Sequence, residues 1–109
     1  MKLEITKETT TSDVQKKFSG QYPGLKLEFY NEKNEDGINK DNPLAENSLF
    51  KKEAIISIDK DQSVADFEKE FWENTGVAAQ VFRQSGNIWL QTTRTDDWTL
   101  EQQNSQGEE

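Results

Sequence analysis

Any acid–base or covalent chemistry in this chain must come from carboxylates, lysines and hydroxyls, because its 109 residues include neither cysteine nor histidine. The missing thiols exclude disulfides, thiolate nucleophiles, iron–sulfur clusters and cysteine-ligated zinc. The missing imidazole excludes the usual haem ligand and the usual base of a nucleophilic triad. The closest acidic pairs are Asp59 with Asp61 and Asp96 with Asp97. Two carboxylates whose pKa values are held apart can share acid–base work, but burial is needed to separate them and nothing in the sequence predicts it. Each pair also precedes a helix cap, where turn and dipole roles account for acids. No nucleophile, base and orienting group stand together, so the reading is non-enzymatic, with no catalytic residue and no cofactor. A carboxylate-based enzyme is the alternative.

Binding chemistry has more material. Glu32, Asn34, Asp36 and Gly37 have the alternate spacing of a calcium loop, but the twelfth position is Pro43 where such a loop needs a bidentate glutamate. A solvated loop and no metal site is the expectation. Arg94, the last basic residue, stands among Thr92, Thr93, Thr95, Asp96 and Asp97. A guanidinium beside hydroxyls can hold a carboxylate or phosphate, although surface pairing with the adjacent acids explains it equally.

The elements that would position these groups follow from periodicity. Leu3 to Lys7 alternates as a strand, and Thr10-Thr11-Ser12-Asp13 has the form of a helix cap. Val14 and Phe18 then share a helical face, Tyr22-Pro23-Gly24 stops the helix, and Leu25, Leu27 and Phe29 alternate as a second strand. The second half repeats the order. Ile56 and Ile58 alternate, Ser63-Val64-Ala65-Asp66 caps, Phe67 and Phe71 share a face, and Gly76 precedes Val77, Ala79 and Val81. At an offset of 53, Leu3 matches Ile56, Thr10 matches Ser63 and Phe18 matches Phe71; after a one-residue slip, Gly24 matches Gly76. Recurrence of cap, spacing and glycine in register favours a duplication over chance. Two such βαβ units predict an α+β fold, a ferredoxin-like two-layer sandwich with both helices on one face of the sheet. A β-grasp-like sheet, with the first two strands paired differently, is the alternative.

The remaining segments decorate that frame. Residues 31–53 are a polar insertion in which Asn42-Pro43-Leu44-Ala45 can start a short helix to about Phe50, pinned by Leu44, Leu49 and Phe50. Ser85-Gly86 reads as a hairpin turn into a fifth strand, Ile88 to Thr92. Thr99-Leu100-Glu101-Gln102 has the form of a capping box, residues 1–104 make a single domain, and the acidic tail 105–109 frays.

Strand parity isolates a candidate face. If Leu25, Leu27, Phe29, Val77, Ala79 and Val81 point to the helices, then Tyr30 and Phe82 point away. A Ser85-Gly86 turn pairs Phe82 with Trp89 on that side. Trp72, whose counterpart is Ser19, flanks its helix's apolar stripe. The candidate binding residues are therefore Tyr30, Trp72, Phe82, Trp89, Arg94, Asp96, Asp97 and Trp98. The competing arrangement folds Trp98 and Leu100 back over the aromatic face.

The stretches Val64 to Phe71 and Ser85 to Leu100, above all Ser85-Gly86-Asn87-Ile88-Trp89-Leu90-Gln91-Thr92-Thr93-Arg94-Thr95-Asp96-Asp97-Trp98-Thr99-Leu100, resemble a family of small uncharacterised bacterial proteins. The resemblance extends over most of the chain and is weakest in the insertion. It implies an architecture and carries over no catalytic or binding residue.

Charge bounds the partner. With 13 basic and 21 acidic side chains, the net charge of -8 repels nucleic acid and anionic membrane surfaces. Residues 54–109 hold 4 basic and 11 acidic groups against 9 and 10 before them. With no long apolar run or leader motif, a cytoplasmic setting is expected. The leading expectation is a protein-interaction or adaptor module facing a partner with a basic or mixed surface. A small-ligand regulatory domain is the alternative.

Overall fold

The computed structural model describes residues 1–30, 43–46 and 50–107, an α+β arrangement with two antiparallel sheets. β1 (Lys2–Ile5) pairs with β3 (Ala54–Ser57) in one sheet; β2 (Leu25–Tyr30), β4 (Ala78–Ser85) and β5 (Ile88–Gln91) form the other, in the order β2-β4-β5. α1 (Thr11–Gln21) follows β1, α2 (Val64–Thr75) follows β3, and α3 (Leu100–Gly107) follows a 3-10 turn at Thr93–Thr95.

The helices begin where the sequence places their caps. Thr10 Oγ1 accepts from Asp13 N–H at 3.0 Å and the Asp13 carboxylate accepts from Thr10 N–H at 3.3 Å. These bonds to the charged form hold the Asp13 carboxyl below its ordinary pKa. Ser63 Oγ accepts from Asp66 N–H at 3.1 Å, and Gly76 closes α2 at φ 84°, a left-handed position that suits glycine. In α3, Thr99 and Gln102 complete the predicted capping box, each side chain accepting from the other's N–H.

Sheet pairing differs from both predicted topologies. Ferredoxin-like and β-grasp-like sheets combine strands within one sheet, whereas here β1 and β2 lie in different sheets and do not pair. β1 and β2 instead pair antiparallel with their counterparts from the other half, β3 and β4. Leu3 stands directly opposite Ile56, and Glu28 directly opposite Gln80. These are the residues related by the offsets of 53 and 52, so one local two-fold relation describes both pairings. Pairing of counterparts sets like patterns side by side, so that Leu3 and Ile5 bury with Ile56, and Leu25, Leu27 and Phe29 bury with Val81 and Ala79.

The correspondence runs further than the sequence pattern suggests. Thr10 bridges to Pro43, and its counterpart Ser63 bridges to Thr99. Leu44 N–H then donates to Thr9 C=O at 2.8 Å, and Leu100 N–H to Gln62 C=O at 2.9 Å. Both leucines are fully buried. In each half, therefore, the chain leaving the second strand returns to the helix N-terminus and drops a leucine into the core. The first return is a 3-10 turn over Leu44–Glu46, with Phe50 packed on the core; the expected continuation through Leu49 lies outside the described residues, as does the calcium-like spacing at Glu32, Asn34, Asp36 and Gly37.

Both sheets turn their buried faces to one apolar cluster, in which Phe18 stacks on Phe67 with ring centroids 5.4 Å apart and Phe29 meets Phe71 at 5.2 Å. α3 is longer than the tail prediction allows: residues 105–107 are helical rather than frayed. Gln103 and Asn104 explain this, since fully buried Gln103 bonds Thr95 and Arg83, and Asn104 Oδ1 accepts from Gly24 N–H at 2.8 Å. Phe71→Ala should cost about 3–5 kcal/mol in urea melts, by cavity formation, while Trp72→Ala one position away, on the exposed flank, should cost less than about 1 kcal/mol.

Candidate functional site

The three-stranded sheet turns one face away from the core cluster, carrying Lys26, Glu28 and Tyr30 from β2, Ala78, Gln80, Phe82 and Gln84 from β4, and Trp89 and Gln91 from β5. Phe82 and Trp89 share this face as predicted, but the register differs. Gln84, not Phe82, stands opposite Trp89, and Phe82 stands opposite Gln91. The cause is the turn. A two-residue hairpin loop of the primed types needs positive φ at its first central residue. Gly86 meets that requirement at φ 60°, so the loop is Gly86-Asn87, whereas a Ser85-Gly86 loop would force serine there. The slip of two residues preserves parity, and Phe82 and Trp89 become diagonal neighbours.

Lys26 joins the two rings. Its ammonium lies 5.5 Å from the Phe82 centroid, 5.0 Å from that of Trp89 and 3.6 Å from the Glu28 carboxylate. Cation–π attraction of about 0.5–1 kcal/mol per contact thus holds a half-buried lysine across the face. Tyr30 and Phe82 are half-buried and Trp89 is 37% exposed.

β5 is the most open element. All four of its residues are exposed, including Ile88 at 59% and Leu90 at 38%, which lie on the opposite side from Trp89. Thr92 N–H donates to Val81 C=O, which fixes the alternation of main-chain groups: Leu90 and Ile88 address β4, while Trp89 and Gln91 direct N–H and C=O outward. Among the described residues, no strand pairs with that outer edge.

The remaining predicted residues lie elsewhere. Trp72 is 53% exposed on α2, with the Lys51 ammonium 5.8 Å over its ring. Arg94 and Asp97 are exposed around the second 3-10 turn, and Asp96 is half-buried, its carbonyl accepting from Ala65 N–H at 2.8 Å. Trp98 and Leu100 do not cover the aromatic face. Leu100 enters the core, and the Trp98 ring takes the Arg83 guanidinium at 5.5 Å on the other side of β4. The structure thus sets Phe82 diagonally beside Trp89, with Tyr30 on the same face but at the far end of β2 opposite Ala78, sets Arg94 just past the end of β5, and leaves Trp72 apart.

Sequence reasoning missed Glu68. Beyond the end of β5, Val81 N–H has no strand to meet and donates instead to Glu68 Oε2 at 2.8 Å, while Thr92 Oγ1 donates to Val81 C=O at 2.9 Å. Loss of water, opposed in part by the Val81 bond and aided by nearby Asp96, pushes the Glu68 carboxyl up to about 7. The signal was present: position 68 falls in the stripe Val64, Phe67, Phe71 and Thr75, and its counterpart Gln15 donates to Leu27 C=O at the other edge of the sheet. Among the described residues, no cluster of acids is placed to hold a metal ion, and no helix is long and apolar enough to cross a membrane. Comparison with family models, curated proteins and solved structures finds no match to this chain.

The folded pKa of Glu68 lies above the ordinary 4.5, so the native state binds the extra proton between those values. Its contribution to stability is complete below about pH 4.5 and is lost as pH rises through about 7. Thermal melts from pH 5 to 8.5 should show Glu68→Gln flattening that decline and exceeding the parent in Tm at pH 8, since an amide oxygen still accepts from Val81 N–H.

Proposed function

We propose that this chain is a non-enzymatic protein-interaction module whose binding surface is the β4–β5 hairpin with the aromatic face beside it. The observation that carries this reading is β5 itself, where Ile88, Trp89 and Leu90 are consecutive, large, apolar and all exposed. Large apolar side chains exposed on both sides of one edge strand, on an otherwise strongly charged surface, mark a contact site, and a partly exposed tryptophan among them has the character of an interface anchor. Charge supports the same place. Residues 74–95 contain no acid and carry Arg83 and Arg94, within a chain of net charge -8. A mixed partner fits that distribution, its acidic part meeting the hairpin and its basic part meeting the rest.

A photoreactive side chain at position 88 should trap a defined polypeptide in living cells, whereas one at position 55, at 66% somewhat more exposed on β3, should not. Trp89→Ala should abolish the adduct while costing the fold only about 1–2 kcal/mol, because the ring is already partly in water and loses mainly its Lys26 contact. Equal labelling from positions 88 and 55, or none from either, would reject this reading.

A further inference from the structure

We infer that β5 receives an added strand: an extended segment of a partner protein, apolar at alternate positions and carrying carboxylates at the end beside Arg94. The inference rests on the interaction reading above and specifies its geometry. Trp89 and Gln91 direct their N–H and C=O groups away from β4, and among the described residues no strand takes them up. Sheets commonly protect such an edge with lysine, proline, a bulge or a covering element. Ile88-Trp89-Leu90-Gln91 carries neither charge nor proline, and its pairing with β4 is continuous from Ser85↔Ile88 to Phe82↔Gln91 without a bulge.

An incoming strand would find a wall on each side. Trp89 stands on the open face, and Ile88 and Leu90 stand on the other, so alternate apolar side chains of the segment have surface to cover whichever way they point. Arg94 fixes polarity. It is exposed just beyond the C-terminal end of β5, and no described carboxylate pairs with it. Antiparallel addition brings the N-terminal end of the segment to Arg94, which is where its carboxylates belong. A second copy of this chain fits less well: it sets a net charge of -8 against another, and its own β5 offers Arg94 no acid.

The test uses the full chain, isotopically labelled, and a synthetic peptide of alternating threonine and valine headed by two aspartates. Saturable binding should slow hydrogen exchange at the outward amides of Trp89 and Gln91. Replacing the aspartates by lysines should weaken it by about tenfold. Methylating the peptide's main-chain nitrogens should abolish it. Gln91→Pro should abolish it too, since that N–H serves no bond to β4; the methylated peptide reports on the unaltered fold should this variant not fold. Binding that ignores backbone methylation, or leaves both outward amides unprotected, would overturn strand addition while leaving the interaction reading intact. Absence of any binding would overturn the inference as well, with the trapped adduct from position 88 still judging the broader reading. Concentration-dependent protection of the two amides without peptide would assign the edge to a second copy and overturn the partner proposed.

Discussion

Backbone N–H and C=O groups at the edge of a sheet must find partners or water, and a buried group left unpaired costs about 1–3 kcal/mol. In the three-stranded sheet, side chains from α1 and α2 take up some of the main-chain groups that lack a neighbouring strand, while among the described residues the outer edge of β5 stays open. Along β2, Gln15 donates to Leu27 C=O and Ser19 donates to Leu25 C=O, so α1 serves in place of a neighbouring strand. Along β4, the hairpin partner stops at Gln91, and Glu68 from α2 with Thr92 takes over the groups of Val81. Helix placement therefore follows from edge closure as much as from apolar burial. α1 and α2 must lie where their polar side chains reach the strand beside them while Phe18, Phe67 and Phe71 still meet in the core.

That arrangement explains why the two halves differ where they do. Gln15 closes its edge with a neutral amide, whereas the counterpart position holds a carboxyl that burial pushes toward neutrality, close to Asp96. An acceptor is needed there because the group to be satisfied is an N–H; at Leu27 it is a carbonyl, and a donor is needed. The two edges thus require opposite roles, a donor from Gln15 and an acceptor from Glu68, and an amide oxygen meets the second requirement as well as a carboxyl does. The C-terminal segment is tied to this corner, since the Asp96 carbonyl caps α2 and buried Gln103 links Thr95 to Arg83. Deprotonating Glu68 places charge beside the joint that holds α3.

Sequence patterning reads local structure well here because local structure is locally determined. The caps at Thr10 and Ser63, the box at Thr99 and Gln102 and the left-handed stop at Gly76 each depend on a few adjacent residues. Strand parity survives even an incorrect turn, because a shift of two residues leaves every side chain on its face. Which strands pair is a different kind of question. Short alternating runs such as Leu3 to Ile5 and Ile56 to Ile58 fit within-unit or between-unit pairing equally, and only the complete core decides. Register at the hairpin was recoverable from the φ requirement at Gly86. The role of Glu68 was recoverable from its place in an apolar stripe, although charged residues in such stripes usually lie at the margin and reach water.

Net charge describes the chain poorly as a guide to where it touches anything else. The acids concentrate in the second half, yet the run 74–95 within that half contains none, and it includes the element with the most exposed apolar surface. At about 8–10 Å of screening length in physiological salt, a surface group responds chiefly to charges within a few residues of it in space. Anything approaching β5 therefore meets the apolar strand and Arg94, with Asp96 and Asp97 close beside it, before it feels the other acids of the body. The global charge opposes the approach of a second copy, while the local charge acts on whatever nears the hairpin. Composition averages these two fields into one number, and the fold separates them again.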